Sequence, residues 1–223
     1  MAALAQMAWW MDPVRRSGPE AMAVDEWLLQ HADCPVLRVY QWAGDWASLG
    51  YFGKLTAARA GISGVKWVRR WTGGGAVDHR ADWTYSVILP QSESLSRSRG
   101  AESYRVIHEA LRLALAAEGR ATQLSGGKSN ADATLCFQHP VGYDLMEFDG
   151  VKIAGAGQRR TKSGLLHQGS VAAACDFAAS RQRAERLAGA LADSTFERSF
   201  DIPSETLSIL GERYSRASWT GCR

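Results

Sequence analysis

Four short apolar runs, at residues 36–42, 47–52, 66–71 and 84–89, are rich in aromatic and β-branched side chains and are broken from one another by glycine. Those lengths and residue types read as strands. Helical patterns flank them. Gly18, Pro19 and Glu20 open one that carries Ala21, Val24, Leu28 and His31 on a single face and ends near Cys34-Pro35, because the residue before a proline avoids the helical region. Tyr104, Ile107, His108, Leu111 and Leu115 mark a second, which stops at Gly119. A third is expected over residues 180–191. Residues 92–100 read as a serine- and arginine-rich loop, and residues 125–132 as a polar loop. Asp149-Gly150 sits between strand-like runs at 143–148 and 151–156, the preferred two-residue hairpin turn, and a further run covers 165–174 after a basic turn. Strands grouped with helices between them make the expected class α+β, in one domain over residues 1–223.

Composition removes several function classes. A net charge of +3 in 223 residues is too small to point to nucleic acid by itself. Four widely spaced cysteines (Cys34, Cys136, Cys175, Cys222) with no C-x-x-C pair form neither a disulfide framework nor a zinc site, so a reducing cytoplasm is the expected setting. Residues 1–16 hold a short apolar stretch without a basic start and do not read as a signal peptide. No apolar run approaches the roughly 20 residues that span a membrane. The 22 glycines exceed the usual share, and their clustering directs attention to two segments.

The first is residues 69–79, RRWTGGGAVDH. Without Cβ atoms, the backbone at Gly73, Gly74 and Gly75 bends sharply and approaches a ligand closely. Exposed N–H groups in such a turn form an anion nest, to which Arg70 adds a fixed charge; a flexible hairpin tip is the plainer alternative. Neither G-K-[ST] at phosphate-loop spacing nor G-x-G-x-x-G is present. The second is residues 150–160, GVKIAGAGQRR. On a strand, Lys152, Ala154 and Ala156 point to one face and Ile153, Gly155 and Gly157 to the other. Alternating Ala and Gly leave space for a ligand or a closely packed backbone. Lys152 either reaches a carbonyl or phosphate oxygen there or is a solvated edge-strand lysine. Cys136, in LCFQHP, has apolar neighbours; such a thiol is a small buried hydrophobe unless an electropositive, partly exposed setting favours the thiolate. Cys34 and Cys175 sit beside nothing that lowers a thiol pKa. His167, in LLHQGS, is a packed core residue or, as a minor candidate, a base.

Taken in order, RRWTGGGAVDH, CF…P…YD, KIAGAGQRR and LLHQGS resemble the lipoate–protein ligase A and octanoyltransferase family. EAMAVDE at 20–26, WASLGYF at 46–52 and DWTYS at 82–86 support the likeness, which covers roughly residues 18–175; the last 45 or so add little. The resemblance implies the catalytic fold of the biotin and lipoate ligases, related to class II aminoacyl-tRNA synthetases: a mixed sheet flanked by helices. It implies a single catalytic domain without the C-terminal accessory domain of the common ligase. It also implies an acyl tunnel around Gly73, Gly74, Gly75 and Ala76 and the strand at Gly155, Ala156 and Gly157, with Arg70, His79 and His167 among the substrate-binding residues and tryptophans and alanines as lining. Lys152 matches the family lysine that contacts the acyl carbonyl or, in ligases, the acyl-adenylate phosphate. Cys136 falls where the cysteine-type octanoyltransferases carry their nucleophile. Asp78 stands where the family usually has an aromatic residue, and Ala154 and Ala156 replace more common serines.

The expected activity is therefore transfer of an octanoyl (or lipoyl) chain from acyl carrier protein, through a Cys136 thioester, to a lysine of a lipoyl domain. Glycine cleavage H protein and the 2-oxoacid dehydrogenase acyltransferase subunits are the expected acceptors. No cofactor, metal, nucleic acid or membrane is expected. Lys152 is expected to lower the thiol pKa and to stabilise the oxyanion, and either His79 or His167 to take the proton of the incoming amine. The stretch 152–162 carries Lys152, Arg159, Arg160 and Lys162 and no acid; it steers acidic partners or is a solvated basic turn. The alternatives are an ATP- and Mg-dependent ligase acting through an acyl-adenylate, and a non-catalytic lipoyl-binding subunit.

Overall fold

The computed structural model describes residues 2–126 and 141–222. Strand β1 (Leu4–Met11) leads into α1 (Gly18–His31), then β2 (Val36–Tyr40), β3 (Trp46–Leu49), α2 (Leu55–Gly61), β4 (Lys66–Arg69), β5 (Ala76–Asp78) and β6 (Trp83–Pro90). There follow α3 (Ser94–Arg97), α4 (Gly100–Ala116), β7 (Gln123–Leu124), β8 (Leu145–Met146), β9 (Lys152–Thr161) and β10 (Gly164–Val171). The chain continues with α5 (Phe177–Leu191), β11 (Ala192–Glu197), α6 (Ser204–Ser215) and α7 (Ala217–Thr220). Helix α1 starts where Ser17 and Glu20 cap each other's backbone N–H groups in a capping box, with Pro19 in the first turn where its missing N–H costs nothing.

Among the described residues, eight strands form one sheet in the order β11-β1-β2-β6-β10-β9-β8-β7 and three form a second, β4-β3-β5. The large sheet is mixed: β1 runs parallel to β11 and β2, and the remaining pairs are antiparallel. Side chains alternate across it. Leu37, Tyr85, Val87 and Leu165 face α4 and α5 and bury Ile107, Leu111, Leu187 and Leu191. Val36, Ile88 and Leu166 face α1, where they meet Val24 and Leu28. The small sheet packs on the α1 side, with Val68 and Trp46 against Ala21 and Met22. The fold is thus α+β, a mixed sheet flanked by helices. No helix among the described residues is long and apolar enough to cross a membrane.

A buried cation ties α1 to the sheet. Arg38 of β2, fully enclosed, donates to Asp25 Oδ1 (2.7 Å) and to Asp12 Oδ2 (2.8 Å). Burial alone would raise the pKa of Asp12, but Arg38 and Arg16 hold it below the ordinary carboxylate value. Asp25 Oδ2 in turn accepts from Ser86 Oγ (2.6 Å) and Gln168 Nε2 (2.7 Å), which fixes α1 over β6 and β10.

Several local expectations change. Residues 94–97 form a short helix within the serine- and arginine-rich segment read as loop. The N-terminal apolar stretch is a strand inside the sheet, between β11 and β2. The tail is structural: β11 extends the sheet, and α7 presents the Trp219 and Thr220 carbonyls to the buried Arg69 guanidinium. The largest correction concerns Lys152. Pairing shifts register between Leu145 and Met146, so β9 carries a bulge, and both Ile153 and Ala154 enter the same core. Lys152 therefore lies over Gly155, where an added Cβ would stand 2.7 Å from Nζ, and does not share the face of Ala154 and Ala156.

Candidate functional site

Between the two sheets lies a cavity of about 20 Å³, room for about one water. Its floor is backbone, Gly155–Gly157 of β9 and Gln168–Ser170 of β10; Ser48, Arg70 and His79 close it from the small-sheet side. A larger cavity of about 630 Å³ lies beyond a shared wall of Tyr40, Trp42, His79 and Thr84.

The glycine loop is braced against the floor. Gly74 has φ +93°, which only glycine adopts without strain, and this turn brings the Gly73 carbonyl onto Gly157. An added Cβ at Gly157 would stand inside contact distance of that oxygen and 2.9 Å from Thr72 Oγ1. Alternating small residues on β9 thus make room for closely packed backbone. Thr72 Oγ1 donates to Gln168 Oε1 (2.8 Å), linking the loop to the Asp25–Arg38 cluster. Arg70 Nη2 donates to the Gly73 (3.0 Å) and Gly75 (2.9 Å) carbonyls, and Nη1 to Ser48 Oγ (2.7 Å). The loop turns the Gly73 and Gly75 carbonyls, not an anion nest of N–H groups, toward Arg70. Ala76 begins β5, buried beside Leu49.

Lys152 Nζ is buried and pairs with Asp144 Oδ2 at 2.7 Å. Asp144 Oδ2 also accepts the Val141 N–H (2.7 Å), and Oδ1 accepts Tyr104 Oη–H at 2.5 Å. Tyr104 Oη accepts the Ala156 N–H (2.9 Å), so one phenol joins α4, the loop before β8 and the open edge of β9. Desolvation of two charges is offset here by a fully hydrogen-bonded carboxylate. Because Lys152 is buried, the basic stretch is no continuous surface: Arg159 lies 4.5 Å over the Trp71 ring, and Arg160 reaches Ser103 Oγ (2.6 Å).

The two candidate histidines part company. His79 Nε2 meets Ser48 Oγ at 2.6 Å, Nδ1 meets Asp82 Oδ2 at 2.7 Å, and its ring stacks on Trp42 at 4.2 Å beside the cavity. His167 points to the opposite face of β10, into the helix-side core, where Nδ1 meets Gln158 Nε2 (3.0 Å) and Nε2 meets Tyr85 Oη (3.3 Å). Burial, then the neighbouring His108 and Arg160, hold it well below the ordinary imidazole pKa, so it is neutral at pH 7. Cys136 lies outside the described residues. Burial pushes the Cys34 and Cys175 thiols up, away from the thiolate. Among the described residues, no group of three or more His, Cys, Asp or Glu is placed to hold a metal ion.

Sequence reasoning gave no role to Asp144, Tyr104, Ser48, Asp82, Thr72 or Gln168. All but Tyr104 sit inside the motifs that carried the resemblance, so position within a motif was the available signal; their partners depend on strand register.

Residues 17–210 match the family model of the lipoyl protein ligase A/B catalytic domain. Relatives include the octanoyltransferase LipM of Carboxydothermus hydrogenoformans, 37% identical over 164 residues, and that of Staphylococcus aureus, 35% over 166 residues. The matches cover 70% and 67% of this chain but only 61% and 60% of those proteins, so the chain spans about six-tenths of the length of the curated relatives it matches. Solved structures of the same fold include a lipoate-protein ligase A bound with ATP (TM-score 0.72, 19% identity, 99% of this chain and 100% of that one). Another is the bipartite lipoate protein ligase of Thermoplasma acidophilum (TM-score 0.71, 18% identity, 98% of each chain). With the family model spanning the glycine loop, the Lys152 strand and most of the chain, the chain belongs to the lipoyl protein ligase A/B catalytic domain family.

Proposed function

We propose that the chain is an octanoyltransferase of protein lipoylation, which takes an octanoyl group from the thioester of acyl carrier protein onto Cys136 and passes it to a lysine of a lipoyl domain. The observation that carries this reading is the 34–37% identity to proteins named as octanoyltransferases, against 18–19% to the two ligases, a level that speaks to fold alone. In the first half-reaction the Cys136 thiolate attacks the donor carbonyl carbon, and the donor C–S bond breaks with its electron pair on the departing thiol. One thioester replaces another, so no ATP enters. Lys152, held by Asp144, supplies the positive charge that favours the thiolate and the oxyanion. Arg70, Gly73, Gly74, Gly75 and Ala76, with Gly155, Ala156 and Gly157, form the acyl-binding surface, the loop lifting from β9 as the chain enters. His167 lies outside this assignment. The expected acceptors are acidic lipoyl domains such as glycine cleavage H protein and 2-oxoacid dehydrogenase acyltransferase subunits.

The test is intact mass after incubation with octanoyl carrier protein and no ATP. An octanoyl adduct that is absent from Cys136→Ala supports the transferase. No adduct on the wild type, with adenylate formed from octanoate and ATP and activity kept in Cys136→Ala, establishes a ligase. Binding without either reaction establishes a lipoyl-binding subunit.

A further inference from the structure

Amide formation at this site makes one demand the acyl donor does not meet. When the acceptor lysine nitrogen bonds to the acyl carbon it becomes positively charged and must lose a proton. That holds for a thioester and for an acyl-adenylate alike, so an acceptor for that proton is needed under either reading of the family.

Ser48, His79 and Asp82 form an ordered chain of hydrogen bonds beside the cavity. Arg70 Nη1, which has only protons to give, donates to Ser48 Oγ at 2.7 Å. In a neutral ring the Asp82 carboxylate, which only accepts, keeps the imidazole proton on Nδ1, so Nε2 accepts from Ser48 Oγ–H at 2.6 Å. The Nδ1 proton is donated to Asp82 Oδ2 at 2.7 Å. Asp82 is itself fixed by Ser170 Oγ–H (2.5 Å) and Thr84 Oγ1–H (3.1 Å), and Trp42 Nε1 donates to Thr84 Oγ1 (2.8 Å) while its ring stacks on the imidazole. The parts come from β3, the loops after β4 and β5, β6 and β10, so both sheets are needed to build it. Among the described residues, charged groups near the ring besides Asp82 include Arg70, through Ser48, and Asp78.

We infer that Ser48 and His79 are the proton relay of the amide-forming step, with Asp82 and Arg70 as the residues that position it. The lysine nitrogen bonds to the acyl carbonyl carbon and passes its proton to Ser48 Oγ, whose own proton moves to His79 Nε2. The acyl C–S bond breaks with its electron pair on the thioester sulfur, and the imidazolium gives up its proton as the thiol is restored. The net change is thioester plus amine to amide plus thiol. Asp82 across Nδ1 favours the imidazolium that forms. His167 lies on the other face of β10 and is not among the described residues that line the cavity.

The inference rests on the transferase reading for its thioester, and the test separates the two. The wild type is loaded with octanoyl carrier protein, freed of donor, and mixed with a lipoyl domain; loss of the octanoyl adduct is followed per loaded molecule, so effects on loading drop out. General acid–base catalysis contributes on the order of 10²–10⁴-fold. His79→Gln is expected to slow discharge by about 100-fold or more, and Ser48→Ala and Asp82→Asn by about tenfold or more. Wild-type discharge is expected to slow in D2O and discharge by His79→Gln to be insensitive to it, a readout that loosened packing does not supply. Discharge by His79→Gln within about threefold of wild type, or slowed with the D2O sensitivity intact, overturns the relay. If the wild type takes no octanoyl group from the carrier, the transferase reading fails, and the same variants and D2O comparison, run from octanoate and ATP, decide the relay on the adenylate.

Discussion

Replacing Gly157 by alanine places a methyl group where the Gly73 carbonyl now rests on β9. The new Cβ would lie inside contact distance of that oxygen, 2.9 Å from Thr72 Oγ1 and 3.1 Å from the Gly73 carbonyl carbon. Two of these three atoms are backbone, so no side-chain rotation relieves the clash, and the loop has to lift. Overpacking of this kind costs about 1–3 kcal/mol. Lifting the loop also stretches the Thr72–Gln168 hydrogen bond, worth about 1 kcal/mol. A destabilisation of about 2–3 kcal/mol is therefore expected in urea unfolding followed by tryptophan fluorescence. Gly73→Ala is the matched control: nothing lies within 4 Å of its added Cβ, so its stability is expected within about 0.5 kcal/mol of wild type. Gly157→Ala as stable as wild type, or Gly73→Ala equally costly, would refute the close seating of the loop on the strand.

Two further outcomes follow from buried polar groups. Asp144→Asn removes the carboxylate that pairs with the buried Lys152 ammonium and is expected to destabilise the protein by about 1.5–3 kcal/mol in the same unfolding assay; a change below about 1 kcal/mol contradicts the ion pair. Burial depresses His108 from 6.5 to about 4, against the opposing pull of Asp144. The folded protein then keeps His108 neutral while the unfolded chain takes up a proton below pH 6.5, so stability is lost as pH falls from about 6.5 to about 4, by up to about 3 kcal/mol. Unfolding free energies measured across that window are expected to fall less steeply in His108→Gln, in which His167 still contributes its own slope.

What the sequence showed and what it hid divide along physical lines. The central strands and α1 and α4 were legible because their signals are local: short β-rich runs, a helical stripe, Gly119 at a helix end. Strand β1 was not. Met7, Ala8, Trp9 and Trp10 are all buried, which erases alternation, and its partner β11 comes from the far end of the chain. The β11 residues themselves are mostly polar and exposed, as on a sheet edge. Lys152 was assigned to the wrong face because a bulge shifts side-chain parity by one, and alternation counted along the sequence does not register it. The glycine loop and the Lys152 strand were found from residue type alone. Their partners were not, since Asp144, Ser48 and Asp82 reach them only through the pairing of distant strands and the stacking of one sheet on the other. His79 and His167 looked alike in sequence; strand direction on β10 and the small sheet's position separate them.

The central claim is that a thioester on this chain feeds a lipoyl-domain lysine without ATP. The most direct measurement is the intact mass of a lipoyl domain after incubation with octanoyl carrier protein and the wild-type or Cys136→Ala protein in the absence of nucleotide. An octanoylated acceptor is expected with the wild type and an unmodified one with Cys136→Ala. An acceptor modified equally by both proteins, or by neither until ATP and octanoate are supplied, contradicts the claim.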